Sequence, residues 1–467
     1  MRARKTTVAA VAGALVLATA SVAFGAVLAD FGVERDRELN SDARELYGVL
    51  GGIPTSSTAD LTTAEALANP LGLAKLAPGL KARVVTAGKA APVIDQMVLW
   101  PAGSPKYLIG CNEEGTAEVA LQRIDLATGD AVTIVRSGLV SCDPVRVTPW
   151  GTVLFGEEAG PTGAMFEMID PLSVTDATID RTTGVTSSPN IRRVDAFGFL
   201  SFEGLAVLPN GVTYYGDELS ANRGAAGGAY FKFVPTTLWA GGAPITSLDQ
   251  SPYASGSVSG LRVGSTNNNG QGFSYGRGAW LPLANTTGQQ LGALASANKL
   301  TGYYRPEDID VDLRALAAGT VSWCGNNTGR DSARYFGETI CVSDGTPATA
   351  AAGTSVPEVT LFVQGNQEIN MPDNIAYQPG RANWIVHEDG STVGAQGGDR
   401  NNDLWDCLAD GRDVDTMSDG CIRVATLNDL DAEWTGGFFD PTGKTFYVSV
   451  QHNSSGFGTV LAITGWR

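Results

Sequence analysis

A two-strand pattern that recurs along the chain is the feature that most limits its possible folds. Each copy has a polar residue, an apolar strand, a turn built on Pro, Gly or Asn, and a second strand that ends in polar residues. The copies run from Phe202 to Glu218, from Arg305 to Asn327, from Pro372 to Asp389 and from Thr435 to His452. Because a tight turn puts the outer ends of both strands on one rim, copies arranged about an axis bring these ends to one mouth. The pattern predicts an all-β protein, a β-propeller with inserted loops.

Two earlier strands also end in paired carboxylates, at Glu113 and Glu114 and at Glu157 and Glu158. Acidic residues and Asn are common turn formers and solvated strand ends, so any single position is explained equally well without a function. The recurrence of the polar ending is what favours a shared site.

The composition excludes several classes of protein. The chain has 467 residues, of which 43% are apolar and 17% charged, a balance that excludes a disordered chain. Gly occurs 58 times and Lys and Arg together only 32 times, which is typical of a turn-rich β protein rather than a helical bundle. The formal net charge of −17 repels a phosphate backbone, so nucleic acid is not expected as a partner.

The N-terminus has the features of an export signal over residues 1–29. Arg2, Arg4 and Lys5 precede an uncharged run from Val8 to Leu28 that is rich in small residues. The alternative is an uncleaved membrane anchor, since the run is just long enough to span a bilayer. We expect cleavage, which gives a secreted or cell-envelope (periplasmic) protein without a membrane span. Residues 30–75 then form an N-terminal extension with a short amphipathic helix from Asp30 to about Gly52, and residues 76–467 form the propeller catalytic domain.

The cysteines are even in number, which in an exported chain predicts disulfides. They are Cys111, Cys142, Cys324, Cys341, Cys407 and Cys421. Proximity in sequence favours Cys324 with Cys341 and Cys407 with Cys421. The signal has no twin-arginine pair, so the chain is expected to cross the membrane unfolded and to acquire any metal outside.

Bringing the acidic strand ends together costs several kcal/mol of repulsion unless protons or cations intervene. The acidic residues concerned are Glu157, Glu158, Glu203, Glu307 and Asp373. Ca²⁺ takes six to eight oxygen ligands, which suits this set. The chain has only two His, His387 and His452, so a His-based zinc or copper centre is not expected.

From about Leu76 to the C-terminus, the sequence resembles the PhoX-type alkaline phosphatases, which are calcium- and iron-dependent β-propeller enzymes. The motifs that carry the resemblance are Cys142 followed by Thr148-Pro-Trp-Gly-Thr, Glu157-Glu158, Arg305-Pro-Glu307 with Asn326-Asn327, Pro372-Asp373-Asn374, Arg400-Asn-Asn-Asp403-Leu, and Thr435-Gly-Gly-Phe-Phe-Asp-Pro-Thr-Gly to Val450-Gln451-His452. The sequence departs from the family at Glu113 and Phe202, where His is usual.

The resemblance implies a set of metal ligands and two phosphate-binding residues. The implied ligands are Cys142, Glu157, Glu158, Glu203, Glu307 and Asp373. Arg305 and Asn112 would hold the phosphate as catalytic and substrate-binding residues. Cys142 has two mutually exclusive roles, as a thiolate ligand of iron or as the disulfide partner of Cys111.

The sequence therefore predicts an exported, metal-dependent phosphomonoesterase, an alkaline phosphatase that releases inorganic phosphate from small phosphate esters. Its expected cofactors are several Ca²⁺ ions and Fe³⁺, and the expected state is a monomer. One alternative is a calcium-dependent propeller hydrolase acting on lactones or other esters, for which Arg305 would be dispensable. The other is a non-catalytic extracellular propeller with structural calcium.

Overall fold

The structure is a computed structural model that describes residues 37–219, 227–264, 275–330, 335–390, 400–409 and 420–467. The predicted export signal, residues 1–29, lies outside the described residues, and the predicted extension is described from residue 37 onward. Among the described residues, no helix is both long and apolar enough to cross a membrane.

Within the described residues the chain is built almost entirely of β-strands, joined by a few short helices. The strands are β1 (Ala74–Leu76), β2 (Lys81–Ala90), β3 (Ile94–Trp100), β4 (Tyr107–Asn112), β5 (Leu121–Asp125), β6 (Ala131–Ser137), β7 (Cys142–Val147), β8 (Val153–Glu157), β9 (Met165–Met168), β10 (Ala177–Asp180), β11 (Val185–Thr186), β12 (Ile191–Arg193), β13 (Phe202–Val207), β14 (Thr213–Asp217), β15 (Tyr230–Pro235), β16 (Gly256–Val263), β17 (Gly276–Pro282), β18 (Pro306–Val311), β19 (Ser322–Asn327), β20 (Glu338–Ser343), β21 (Glu358–Gln364), β22 (Pro372–Tyr377), β23 (Trp384–Glu388), β24 (Asp403–Cys407), β25 (Cys421–Leu427), β26 (Glu433–Phe439), β27 (Thr445–Gln451) and β28 (Gly458–Thr464). The α-helices are α1 (Ala43–Leu46), α2 (Thr63–Ala68), α3 (Leu291–Asn298), α4 (Leu313–Ala317) and α5 (Pro347–Ala351).

Six antiparallel hairpins form the centre of the molecule. They are β3–β4, β7–β8, β13–β14, β18–β19, β22–β23 and β26–β27, here hairpins 1 to 6. The first strand of each hairpin contacts the first strands of its two neighbours, and β26 contacts β3, so the ring is closed. Hairpins 3 to 6 are the four recurring copies, and hairpins 1 and 2 end in the paired carboxylates. The predicted all-β propeller is confirmed.

The two ends of the chain meet in one sheet, which closes the ring. Strand β2, near the N-terminus, pairs antiparallel with β28, near the C-terminus. In the same sheet β28 pairs with β27, and β27 pairs with β26. Pairing an N-terminal strand with a C-terminal one leaves no gap between the first and last hairpins, so the sheet edge between them is covered.

The N-terminal extension packs on the outside of hairpins 5 and 6. Helical residues occur at positions 37–41 and again in α1, and Gly48, with φ +72°, follows the helix. The helix is therefore shorter than the predicted segment ending near Gly52. Tyr47 and Val49 are buried in one cluster with Trp434 and Ile422, so the extension covers apolar surface of the propeller.

Three disulfides are present, and two of them are the pairs predicted by proximity. Cys324–Cys341 and Cys407–Cys421 each join directly paired strands of a single sheet. The third joins Cys111 of β4 to Cys142 of β7, which belong to different sheets.

Gly436 of hairpin 6 is required by the close approach of hairpin 1. Its φ is +58°, and a Cβ atom built on it would lie 2.1 Å from the carbonyl oxygen of Asp95. We expect Gly436→Ala to lower the free energy of unfolding by about 3 kcal/mol or more, since the clash adds to the strain of a left-handed backbone. Gly456→Ala is the matched control, because its φ is +71° but nothing lies within 4 Å of a Cβ there. Equal losses for the two variants in denaturant titrations would contradict the close approach.

Candidate metal centre

Five of the six inner strands contain an acidic residue at the same place, the first residue of a β-bulge. The pairing register shifts just after the first residue of β3, β7, β13, β18 and β22. A bulge bends the strand and turns a side chain away from the regular alternation. The residues at this place, here the bulge carboxylates, are Asp95, Asp143, Glu203, Glu307 and Asp373, and all line one cavity. Hairpin 6 has Gly436 within its bulge instead.

A second set of acidic residues comes from the ends of the second strands of the same five hairpins. Each donates its backbone N–H to the carbonyl oxygen of the residue that precedes the first strand, over 2.8–3.1 Å. These residues, here the rim positions, are Glu113, Glu158, Glu218, Thr328 and Asp389. Of the five bulge positions and the five rim positions, all are therefore acidic except the one that Thr328 occupies.

The backbone beneath the rim is strained at several equivalent points. The residue that precedes the first strand has a positive φ in hairpins 1, 2, 4 and 5, at Val93, Ser141, Arg305 and Met371. Non-glycine residues in this region cost energy, and such residues concentrate at functional sites because the surrounding structure holds them there.

The bulge carboxylates and three of the rim residues, Glu113, Glu158 and Asp389, face a polar cavity of about 460 Å³ at one mouth of the ring. Carboxylate oxygens of Asp143, Glu158 and Glu203 lie within 4.8 Å of one another, as do those of Glu203, Glu307 and Asp373. Glu203 belongs to both groups. Two adjacent cation positions that share one carboxylate are therefore possible without any rearrangement of the backbone.

Burial and mutual repulsion raise the pKa values of these carboxyl groups. Burial, opposed in part by hydrogen bonding to Glu203, raises the pKa of Asp143 to about 7. Burial and the adjacent acidic groups together raise the pKa of Glu158 to about 11. The pKa values of Glu203 and Asp373 are raised well above their ordinary range by burial, then by neighbouring carboxylates. At neutral pH these groups therefore need protons or cations between them.

The donor set fits hard metal ions. One carboxylate oxygen of Asp95 and one of Asp143 are buried without a hydrogen-bond partner among the described residues. A buried, unpartnered carboxylate oxygen is costly in the protein alone and is satisfied by a coordinated cation. Each of the two carboxylate groups offers only oxygen ligands, as Ca²⁺ and similar cations prefer.

Arg305 is the only Arg or Lys among the described residues that line the cavity. Its Nε lies 2.6 Å from Oε1 of Glu218, and its Nη2 lies 3.2 Å from Oε1 of Glu307 and 3.7 Å from Oδ2 of Asp389. The side chain keeps 25% of its surface exposed. The guanidinium is therefore fixed by carboxylates of three hairpins while still facing the cavity.

A set of polar contacts made by Arg146 joins four of the hairpins. Arg146 donates to Oε1 of Gln96 over 2.6 Å, to Oδ1 of Asp308 over 2.7 Å and to the carbonyl oxygen of Leu205 over 3.0 Å. Arg146, Gln96 and Asp308 also line a second cavity of about 270 Å³ formed by the opposite ends of the inner strands. None of these three residues lines the acidic cavity, so separate sets of residues line the two cavities.

The structure brings five of the predicted site residues to this cavity, namely Glu158, Glu203, Glu307, Asp373 and Arg305. Glu157 is elsewhere: its carboxylate accepts from the N–H groups of Val140 and Ala164 and from Nε of Arg181. Successive side chains of a strand point to opposite faces, so only the second member of the Glu157–Glu158 pair faces the cavity.

Two further predicted residues are committed to other partners. The Sγ of Cys142 is bonded to that of Cys111, so the ligand role proposed for this sulfur is corrected in favour of the disulfide. Asn112 is fully buried, and its amide group donates to the carbonyl oxygens of Ala91 and Pro92 over 3.2 and 2.6 Å. Asn112 therefore does not present its amide to the cavity, and it is Glu113 that lines it.

Sequence reasoning missed Asp95 and Asp143 at the bulges, Glu218 and Asp389 at the rim, and the contacts of Arg146. A signal for the bulge residues was present, because five of the six inner strands open with an apolar residue, Cys or Pro followed by Asp or Glu. Aligning the copies on the start of this strand, rather than on the polar end of the second strand, would have marked these positions as equivalent, although it is the bulges that turn them toward the cavity.

The fold and the cavity define a β-propeller protein with a carboxylate-lined cavity, a candidate metal centre, at one mouth. The family model described as "Alkaline phosphatase PhoX" matches residues 179–454, more than half of the chain. The chain therefore belongs to the alkaline phosphatase PhoX family, and the predicted family is confirmed.

The fold is shared with a solved PhoX structure, and a second solved structure matches with a lower score. The PhoX of Pseudomonas fluorescens, in complex with vanadate as a transition state analogue, is 15% identical with a TM-score of 0.60, over 88% of this chain and 98% of that one. A PQQ-bound aldose sugar dehydrogenase from Streptomyces coelicolor is 12% identical with a TM-score of 0.42, over 83% of this chain and 99% of that one. No curated protein sequence matches the chain.

The raised pKa values predict how the cation-free protein responds to pH. Burial is the main cause that raises the pKa of Asp308 to about 6, of Asp143 to about 7 and of Glu307 to about 8. A carboxyl group with a raised folded-state pKa stabilises the fold most at low pH, and this stability is lost as pH rises through the folded-state pKa.

We therefore expect the melting temperature of chelator-treated protein to fall between pH 5 and pH 9. Excess Ca²⁺ should reduce the fall, because cations then take the place of protons. The measurement is a thermal melt at each pH in both conditions, and a cation-free melting temperature that rises with pH would contradict the expected electrostatics.

Proposed function

We propose that the protein is a metal-dependent phosphomonoesterase that hydrolyses small phosphate esters to inorganic phosphate, with its active site in the acidic cavity. The observation that carries this proposal is the combination of converging carboxylates with one arginine at a single mouth. Family membership supports the reaction class, and the acidic groups support the dependence on metal.

We assign the metal positions to the two carboxylate groups that share Glu203. Asp143 and Glu158 complete one group, and Glu307 and Asp373 the other. Ca²⁺ is the cation that this all-oxygen set favours, and Fe³⁺, which the family resemblance implies, is proposed as a second metal. When bound, these cations supply Lewis acidity toward the phosphoryl oxygens and reverse the negative potential of the cavity.

Arg305 is proposed to bind the phosphate group. Its planar guanidinium can donate to two phosphate oxygens at once, a geometry that Lys does not provide. The ion pairs to Glu218 and Glu307 hold the guanidinium in place before substrate arrives, so little side-chain entropy remains to be lost on binding. Asn112 is left out of this proposal because its amide hydrogens serve backbone carbonyl groups.

The other residues of the chain shape the space around the phosphate. We propose that the Arg146 contacts, which join hairpins 1, 2 and 4, separate the acidic cavity from the second cavity, so that an ester enters and leaves through the rim. The remaining rim carboxylates, including Asp389, repel a free phosphate dianion unless cations are bound, which makes substrate binding conditional on metal.

We also propose that the protein acts outside the cytoplasm. All the cysteines of the described residues are in disulfides, which persist in oxidising compartments. The basic and apolar N-terminus of the sequence also supports export.

Phosphate release from a chromogenic phosphomonoester, with and without chelator and with Ca²⁺ and Fe³⁺ added back, tests the function. Glu203→Gln should lower turnover at least 100-fold and reduce the bound metal found by elemental analysis, because it removes a charge shared by both positions. Glu118→Gln, on an exposed turn, is the control and should leave both unchanged. Hydrolysis of lactones but not phosphate esters, or metal binding without any hydrolysis, would contradict the proposal.

Arg305→Ala tests the phosphate contact separately. Loss of a charge-assisted hydrogen-bonding group is worth about 1.5–3 kcal/mol, so the inhibition constant for free phosphate should rise about 10- to 100-fold. Arg123→Ala is the control, since Arg123 donates to the carbonyl oxygens of Pro171 and Val174 outside the cavity. Unchanged phosphate inhibition in Arg305→Ala would remove this residue from the site.

A further inference from the structure

The disulfide between Cys111 and Cys142 differs from the other two in what it connects. Cys324–Cys341 and Cys407–Cys421 join strands that are already hydrogen-bonded to each other within one sheet. The Cys111–Cys142 bond instead joins β4 of hairpin 1 to β7 of hairpin 2, in separate sheets. It therefore fixes a distance that no ladder of backbone hydrogen bonds fixes.

Both cysteines of this disulfide are within two residues of a carboxylate that lines the acidic cavity. Cys142 precedes the bulge carboxylate Asp143, and Cys111 is two residues before the rim residue Glu113. The bond holds the two Cα atoms 5.0 Å apart, and both cysteines are fully buried among apolar side chains of the two hairpins. A displacement of one hairpin relative to the other would thus move cavity carboxylates directly.

The carboxylates of the two joined hairpins repel one another. Asp95 and Glu113 come from hairpin 1, and Asp143 and Glu158 come from hairpin 2. All four line the same cavity, so their charges are brought together across the junction between the two hairpins. When no cation is bound, this repulsion acts to separate the hairpins at the junction that the disulfide crosses.

We propose that the Cys111–Cys142 disulfide is a positioning element of the metal centre, which holds the hairpin 2 ligands Asp143 and Glu158 at the spacing that a cation requires by tying hairpin 2 to hairpin 1. Without it, the cation-free cavity relaxes outward, and part of the binding free energy is spent on drawing the hairpins together again. A site held in its binding geometry avoids this cost. The inference rests on the proposed metal centre and concerns affinity for the cation rather than the chemical step.

The test compares two double variants of the full chain, Cys111→Ala with Cys142→Ala and, as the matched control, Cys324→Ala with Cys341→Ala. Both remove one disulfide and should lower the melting temperature. Ca²⁺ binding to chelator-treated protein is measured by calorimetric titration at one pH. We expect the dissociation constant to rise at least tenfold in the first variant and to stay within twofold of wild type in the control.

An unchanged Ca²⁺ dissociation constant in the first variant, or equal increases in both, would overturn the positioning role. If the first variant does not unfold cooperatively, Cys111→Val with Cys142→Ala, which restores buried volume, replaces it. Failure of both to fold in saturating Ca²⁺ would assign the bond to the fold itself and overturn the inference. A wild-type protein that binds no Ca²⁺ would instead overturn the proposed calcium centre on which the inference rests.

Discussion

Repulsion among buried carboxylates at the mouth of the ring is the interaction that the surrounding structure has to hold in check. Glu203 and Glu307 are almost fully removed from water, and each faces other acidic groups within a few ångströms. Such an arrangement is unfavourable for the protein alone, and it persists only because the surrounding structure fixes it. The same concentration of negative charge is what suits the cavity to cations.

A circuit of polar contacts holds the hairpins together beneath these charges. Arg146 joins hairpin 2 to hairpins 1, 3 and 4. Asp308 of hairpin 4 accepts from the N–H of Ile375 over 3.3 Å, and Asn374 accepts from the N–H of Gly436 over 2.7 Å. Thr435 then donates to the carbonyl oxygen of Ile94, which returns to hairpin 1. Each of these contacts links one sheet to a neighbouring sheet, whereas the backbone hydrogen bonds of a sheet join only its own strands.

Sequence reasoning misplaced Glu157 and Asn112 for the same reason, which is the direction in which a strand points its side chains. Glu157 and Glu158 are adjacent in the chain, yet a strand sends them to opposite faces, and only Glu158 reaches the cavity. Asn112 occupies the place in hairpin 1 that Glu157 occupies in hairpin 2, since each pairs with the first residue of its inner strand. Both side chains are used in local hydrogen bonds, and the residue that follows each is the one that lines the site.

Alternation, turn residues and cysteine spacing are local properties of the chain. They were therefore enough to predict the propeller, the two local disulfides and the acidic character of one mouth. The recurring pattern also grouped Glu203, Glu307 and Asp373 in one acidic set, and the family resemblance implied Arg305. The folded chain was needed to show that Asp95 and Asp143 line the same cavity and that Cys142 is bonded to Cys111. Those outcomes depend on β-bulges and on the distance between separate sheets, and neither is encoded in the spacing of residues along one strand.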